Sequence, residues 1–256
     1  MTREGIEELV LNYARGWKGI TLEFLTRIPW LKAFTILDWN INDVSPIHAL
    51  TRLRMLEVST YCKTEIRFHT FPLLEDCRLR WREGAESLFD QATIRRLFVA
   101  DYNRPSSNSF GNLKRLESLS IAGGSLSTLE GLRRLTQLLS LGLYELKQLQ
   151  TLSGIEGLVN LETLEITGCQ AVQRIDEVRF LTQLRRFQFT DNGKVESIKP
   201  LLPLKKLTEV YLYGSTHVAD GDMSPLMTLP LLEKATYKNR PNYSHTRENL
   251  KFGNRV

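Results

Sequence analysis

Histidine and cysteine, the side chains that most often act as bases, nucleophiles or metal ligands, are few in this sequence. None of the four histidines has a cysteine, a second histidine or a carboxylate at the spacing of a zinc site. The glycine pair in the stretch AGGS at 122–125 is followed by no lysine and no helical pattern, so it does not match a phosphate-binding loop. The sequence therefore predicts no catalytic residues, no metal site and no cofactor.

Arginine and aromatic residues are grouped at two places, and these residue types dominate the energetics of protein–protein interfaces because they bury much area and carry hydrogen-bond donors. The first group is Arg78, Arg80, Trp81, Phe98 and Asp101. The second group is Tyr144, Tyr211 and Tyr213. We predict both groups to be partner-binding. For Trp81 an alternative stays open, in which its ring folds over the rim of the structure.

A repeated pattern determines which side these residues face. From Leu138 to Leu207 the chain carries three copies of L-x-x-L-x-L at a spacing of 23 residues, followed in each copy by an apolar residue at about every third position. Alternation with period two is typical of a strand with one buried face, so Leu164 and Ile166 should face inward and Thr163 and Glu165 outward. The later spacing of three favours a 3₁₀-like or irregular return over a long α-helix.

The opening residue of this pattern recurs along most of the chain, at spacings of 20 to 25 residues. We predict a right-handed solenoid of ten or eleven short parallel strands, with one concave sheet and a convex side of 3₁₀ or irregular structure. The pattern covers residues 1–240, with 1–30 as an N-terminal cap. Because equal positions of successive turns align, Phe98 is predicted to lie opposite Arg78 on the next strand. The openers are Ile6, Leu31, Leu53, Leu74, Ile94, Leu116, Leu138, Leu161, Leu184, Leu207 and Leu232.

The irregular stretches define the remaining expectations. Residues 103–112, NRPSSNSFGN, are predicted to form an exposed loop, either a binding edge or a tolerated insertion. Residues 241–256 are predicted to be a basic cap or tail. Among the cysteines, Cys77 lies in an inward column, Cys169 is read as a small buried residue, and Cys62 is predicted to be exposed in a loop.

The copies LETLEITGCQAVQRIDEVRFL and LESLSIAGGSLSTLEGLRRL resemble the short bacterial, internalin-like class of leucine-rich repeat protein. This resemblance implies a recognition scaffold with a protein ligand on the concave sheet. The family pattern continues to an asparagine that bonds the backbone of successive turns. Here Asn192 keeps it, whereas Tyr61, Arg82 and Tyr102 replace it. These turns must satisfy their backbone in another way, with water as one candidate.

Charge and hydropathy narrow the class of partner. The net charge is +5, of which +4 comes from Glu233 onward, so the repeat array is close to neutral and nucleic acid is disfavoured as a ligand. No stretch has the apolar length of a signal peptide or a membrane span, and the cysteines show no pairing pattern. We expect a cytoplasmic monomer with no membrane partner.

Three functions follow from these patterns. The first is a non-catalytic scaffold that binds a protein through its concave face, with a bacterial immunity or regulatory protein as one form of it. The second is an enzyme whose active site lies outside the concave face. The third is nucleic-acid binding through the basic C-terminal tail.

Overall fold

A computed structural model describes residues 5–250, which form two compact units, the first ending at Tyr102 and the second beginning at Asn103. The first unit contains five parallel strands that pair in chain order. They are β1 (Glu8–Asn12), β2 (Ala33–Leu37), β3 (Met55–Ser59), β4 (Asp76–Arg80) and β5 (Arg96–Tyr102).

The second unit has six parallel strands in its sheet, again neighbours in chain order, and two short strands, β10 and β12, that pair with each other. Its strands are β6 (Ser118–Gly124), β7 (Ser140–Tyr144), β8 (Thr163–Thr167), β9 (Arg186–Thr190), β10 (Lys194–Val195), β11 (Glu209–Leu212), β12 (His217–Val218) and β13 (Lys234–Tyr237). The predicted parallel strands are therefore confirmed in each unit, and the fold is a leucine-rich repeat solenoid.

Short 3₁₀ helices form the return of almost every turn, as the spacing of three predicted. The single α-helix of the described residues, α1, is one turn long, Ser224–Met227. Proline is the second residue of three of these returns, at Pro46, Pro200 and Pro225, where the first turn of a helix leaves the backbone N–H without a partner in any case. The 3₁₀ helices are Tyr13–Arg15, Glu23–Arg27, Ser45–Ala49, Phe68–Thr70, Glu86–Asp90, Asn108–Asn112, Glu130–Arg134, Ile155–Gly157, Asp176–Phe180, Lys199–Leu201 and Arg247–Asn249.

The inward columns form the core. Leu164 and Ile166 are fully buried, whereas Thr163 and Glu165 of the same strand are partly exposed, so the predicted alternation is confirmed. Cys77 is fully buried in its inward column. Each strand therefore presents one face to the core and leaves its other face, here called the open face, to solvent.

Two inward polar residues perform the backbone bonding that the asparagine pattern predicted, by different chemistry. In the second unit Asn192 accepts from the Cys169 N–H at 2.7 Å and donates to the Ile166 carbonyl at 2.8 Å. In the first unit the buried Arg82 donates to the carbonyls of Thr60 and Cys62 at 3.2 and 2.9 Å. A guanidinium thus takes the place of the amide, and these bonds need no water.

Three local predictions were wrong. Ile6, predicted as the opener of the first turn, is exposed, and it lies just before β1, which has a neighbour on one side only. Cys62 is buried, with its sulfur 3.0 Å from Nη1 of Arg82. Residues 103–112 are not simply an exposed loop, because 108–112 form a regular 3₁₀ return that buries Phe110.

The start of the predicted C-terminal tail packs onto the last turns of the second unit. The Val218 N–H donates to the Tyr243 hydroxyl at 2.9 Å, and the Met223 N–H donates to Ser244 Oγ at the same distance. Tyr243 also packs edge-on against Tyr237 of β13. Residues 241–250 therefore lie against the final turns, while the remaining tail residues, 251–256, and residues 1–4 are outside the described part.

Candidate protein-binding face

The open face of the first unit carries one row of residues in direct register across its strands. Thr35, Glu57, Arg78 and Phe98 are consecutive pairing partners on β2, β3, β4 and β5. The sequence predicted Phe98 to lie opposite Arg78, and this register is confirmed. Because neighbouring strands lie about 4.8 Å apart, the row places an acid, a base and an aromatic ring side by side.

Arg78 and Phe98 are both available to solvent. The Arg78 side chain is 56% exposed, and its ion pair with Asp76 is a long one, 4.0 Å from Nε to Oδ1. Phe98 is 37% exposed. A phenyl ring beside a guanidinium on an open sheet is a combination that protein interfaces favour, since the ring supplies area and the cation supplies directed donors.

Glu57 has less compensation for its charge. Burial raises the pKa of the Glu57 carboxyl, and the nearby Arg78 cation only partly opposes that effect. Within residues 5–250, Glu57 makes no hydrogen bond and no ion pair within 4 Å. A carboxylate in this state gains free energy when a cation reaches it.

A second feature lies at the carboxyl ends of β2 to β5. Arg80 pairs with Asp101 at 2.7 Å, and its guanidinium lies over the Tyr61 ring at 4.9 Å and the Trp39 ring at 5.5 Å. The two rings stand 4.7 Å apart. Asp101 adopts a left-handed φ of 55°, which is uncommon for a residue other than glycine. We call Trp39, Tyr61, Arg80 and Asp101 the aromatic wall.

Trp39 and Tyr61 were not among the predicted site residues, yet they are 45% and 63% exposed. The signal in the sequence was their position. Both stand in the asparagine column, where the pattern puts a buried residue, and an aromatic residue follows there in two successive turns. The structure buries Asp38 and Thr60 just before them instead, which turns the rings outward.

Trp81 does not belong to the accessible surface. Its side chain is 7% exposed and packs against Phe89 at 5.4 Å and edge-on against Tyr102 at 4.9 Å, measured between ring centroids. The ring of Trp81 is therefore buried against these two rings, and its assignment to a partner-binding surface is wrong. Apolar contact with two buried rings favours this position over exposure to water.

The tyrosines of the second unit lie in a polar network. Tyr144 donates to Glu165 at 2.8 Å, and Tyr211 donates to Glu209 at 2.9 Å. Arg186 connects the two carboxylates, with 2.9 Å to Glu209 and 3.6 Å to Glu165. The same guanidinium lies 4.7 Å above the Tyr211 ring. We call these five residues the network.

The polar groups of the network already bond to one another, so few of them are free to bind a partner. Both tyrosine hydroxyls already have acceptors, and burial, followed by the hydrogen bond to Glu165, raises the pKa of Tyr144 to about 12. Tyr213 is outside the network and remains exposed, with its ring edge-on to Tyr211. Of the second predicted group, Tyr213 is therefore the member with a free surface.

An open cleft on the return side of the second unit is lined by Arg174, Asp176 and Glu196, but Arg174 already bonds Asp176 at 2.8 Å and lies 3.7 Å from Glu196. Residues 5–250 contain no group of three or more side chains that could hold a metal ion. The helices in this part of the chain are too short to cross a membrane.

The fold is similar to that of internalins from Listeria monocytogenes. Internalin F matches over 93% of this chain and 83% of its own, with a TM-score of 0.56 and 18% identity. Internalin C2 matches over 84% of both chains, with a TM-score of 0.56 and 20% identity. At the sequence level, no family model and no curated protein matches.

A third similar structure is the functional domain of InlJ from the same organism, which includes a cysteine ladder. It matches over 84% of this chain and 46% of its own, with a TM-score of 0.61 and 17% identity. Here Cys62, Cys77 and Cys169 occupy three different positions of the repeat, so they do not stack into a ladder of their own. These similarities show the leucine-rich repeat fold.

Proposed function

We propose that this leucine-rich repeat chain is a non-catalytic recognition scaffold that binds a protein partner through the open face of its first unit. The observation that carries the proposal is the exposed pair Arg78 and Phe98, in register on neighbouring strands and not enclosed by other side chains. The aromatic wall beside them adds two exposed rings. The structural likeness to internalins supports this proposal. The resemblance of the repeats to the internalin-like class implies a scaffold that recognises a protein ligand.

The biological setting belongs to the same proposal. A monomer acting in the bacterial cytoplasm, as an immunity or regulatory protein that covers a toxin or an enzyme, needs a rigid surface and no catalytic group. The described residues offer such a surface on short strands fixed by a buried core. Rigid strands hold interface residues more accurately than loops do, which reduces the entropy lost on binding.

The test is affinity capture from a lysate of the source organism, followed by mass spectrometry. The wild-type protein is compared with Arg78→Ala, Phe98→Ala and the control Thr163→Ala, which lies on the open face of the second unit. We expect one partner to be retained by the wild type and the control and lost from the other two. Equal recovery on all four proteins would contradict the proposed face.

A further inference from the structure

Two opposite charges on the open face of the first unit have weaker compensation than the charges around them. Arg96 pairs with Asp76 at 2.8 Å, and Arg80 pairs with Asp101 at 2.7 Å. Glu57 has no such pair in the described part of the chain, and Arg78 reaches Asp76 only at 4.0 Å. The surface therefore offers a partner one acceptor and one donor, in a fixed order toward the exposed ring of Phe98.

The spacing of this row selects the kind of segment that fits it. Glu57, Arg78 and Phe98 follow one another across strands, at about 4.8 Å per step. Side chains on one face of an extended strand recur at roughly 6.7 Å, which is too long for this step. Side chains one turn apart on an α-helix recur at about 5 to 6 Å, so a helix lying across the strands matches the row.

The aromatic wall fits the width of such a helix. Arg80 is two residues beyond Arg78 on β4, a distance of roughly 6.7 Å along the strand, and Trp39 and Tyr61 stand beside Arg80. An α-helix with its side chains is about 10 to 12 Å wide, so its flank would meet the two exposed rings. The wall thus limits where the helix can lie along the strands.

We infer that the partner segment is an amphipathic α-helix that crosses β3, β4 and β5 and presents a basic, an acidic and an apolar side chain on successive turns. The basic side chain binds Glu57, the acidic one binds Arg78, and the apolar one covers Phe98. This inference rests on the proposed function and names the partner chemistry of the same face. Charge order gives the specificity, because reversing it places like charges opposite each other at both positions.

The test uses a phage-displayed helical scaffold whose positions i, i+4 and i+7 vary among Lys, Glu, Leu and Ala. Each combination is displayed in both sequence orders, so that the helix can cross the strands in either direction. It is selected on the wild-type protein and on the double variant Glu57→Arg/Arg78→Glu. We expect the order Lys–Glu–Leu to be enriched over Glu–Lys–Leu by about tenfold or more on the wild type, which corresponds to 1.4 kcal/mol. The double variant should reverse this preference. Circular dichroism of both proteins checks that the substitutions leave the fold intact.

Several results would overturn the inference: no enrichment, the same order on both proteins, or binding that persists when proline is placed between i and i+4. Selection on Phe98→Ala separates the two proposals. If enrichment requires Phe98 but ignores the charge order, the helix assignment fails and the proposed binding face stands. If neither Phe98→Ala nor the charge exchange alters the selected sequences, both fail. Thr163→Ala serves as the matched control and should select the same sequences as the wild type.

Discussion

The open faces of the two units use the same residue types in opposite ways. In the second unit Tyr144, Glu165, Arg186, Glu209 and Tyr211 bond to one another across four strands. In the first unit the corresponding acid, base and ring, Glu57, Arg78 and Phe98, stand side by side without such bonds. Both faces lie over equally buried columns of apolar residues, so the core does not cause the difference.

This comparison shows that residue type alone does not mark a binding surface. A tyrosine or an arginine whose polar atoms already have partners must lose those bonds before it can bind another protein, and this loss offsets much of the gain. Where a charged side chain has no close partner within its own chain, binding of another protein gains the pairing energy without first breaking a bond. The first unit is therefore the better candidate interface, although the second is richer in tyrosine on this face.

The largest expected effect is the loss of stability from a core substitution, and it should be the same in both units because their buried columns are alike. Leu56→Ala in β3 and Leu164→Ala in β8 each remove a fully buried side chain from the same repeat position. We expect each to lower the free energy of unfolding by about 2 to 5 kcal/mol, measured by urea denaturation. Thr163→Ala, on the open face, should cost under about 0.5 kcal/mol. Similar losses for Leu164→Ala and Thr163→Ala would mean that the faces are assigned the wrong way round.

The next effect should separate the two faces in binding. Arg78→Ala or Phe98→Ala should weaken binding of the captured partner by about 2 kcal/mol or more, which is roughly a thirtyfold rise in the dissociation constant. Each substitution removes an exposed group that only the partner can cover. Tyr144→Phe should change the affinity far less. Titration calorimetry with the purified partner measures all three. Wild-type affinity in both first-unit variants would remove this face as the binding site.

A smaller and more specific effect concerns stability at neutral pH. Glu165→Gln weakens the bonds to Tyr144 and Arg186, so we expect it to destabilise the fold by about 1 kcal/mol. Glu57→Gln should leave stability unchanged or increase it by under about 1 kcal/mol, because it removes a charge that burial disfavours.

The sign for Glu57 follows from its raised pKa. The folded state holds the Glu57 proton more tightly than the unfolded state does, so this carboxyl favours folding below the unfolded pKa and that contribution is lost as pH rises through the folded pKa. The advantage of Glu57→Gln over the wild type should therefore shrink when unfolding is measured at acid pH. Destabilisation by Glu57→Gln at neutral pH would show that this carboxylate has a partner after all.

The smallest signal is spectroscopic. Tyr144 should ionise at about pH 12, since burial and the bond to Glu165 disfavour the phenolate. Its raised pKa favours folding up to the unfolded value near 10, and this contribution disappears as pH rises from there toward 12. The absorbance difference at alkaline pH between the wild type and Tyr144→Phe isolates this residue from Tyr237, whose pKa is also raised to about 12. A component near pH 10 would contradict the network.

The repeat pattern was sufficient to predict the strands, the 3₁₀ returns and the facing of most side chains. A period of two or three fixes which residues share a face, whatever the distant sequence contains. It also predicted that Arg78 and Phe98 would be register partners, because parallel strands at a constant repeat length bring equal positions together. It failed at Ile6, beside the edge strand, and where the pattern is interrupted, at Cys62 and in residues 103–112.

What the tertiary structure decided was which outward residues are already bonded. The sequence placed Tyr144 and Phe98 alike on outward columns, but Tyr144 bonds Glu165 in the next turn, whereas Phe98 has an exposed ring. Trp81 turned inward onto Phe89 and Tyr102, and Trp39 and Tyr61 turned outward onto Arg80. Such choices depend on rotamers and on neighbours about twenty residues away along the chain, and a repeat period carries no information about either.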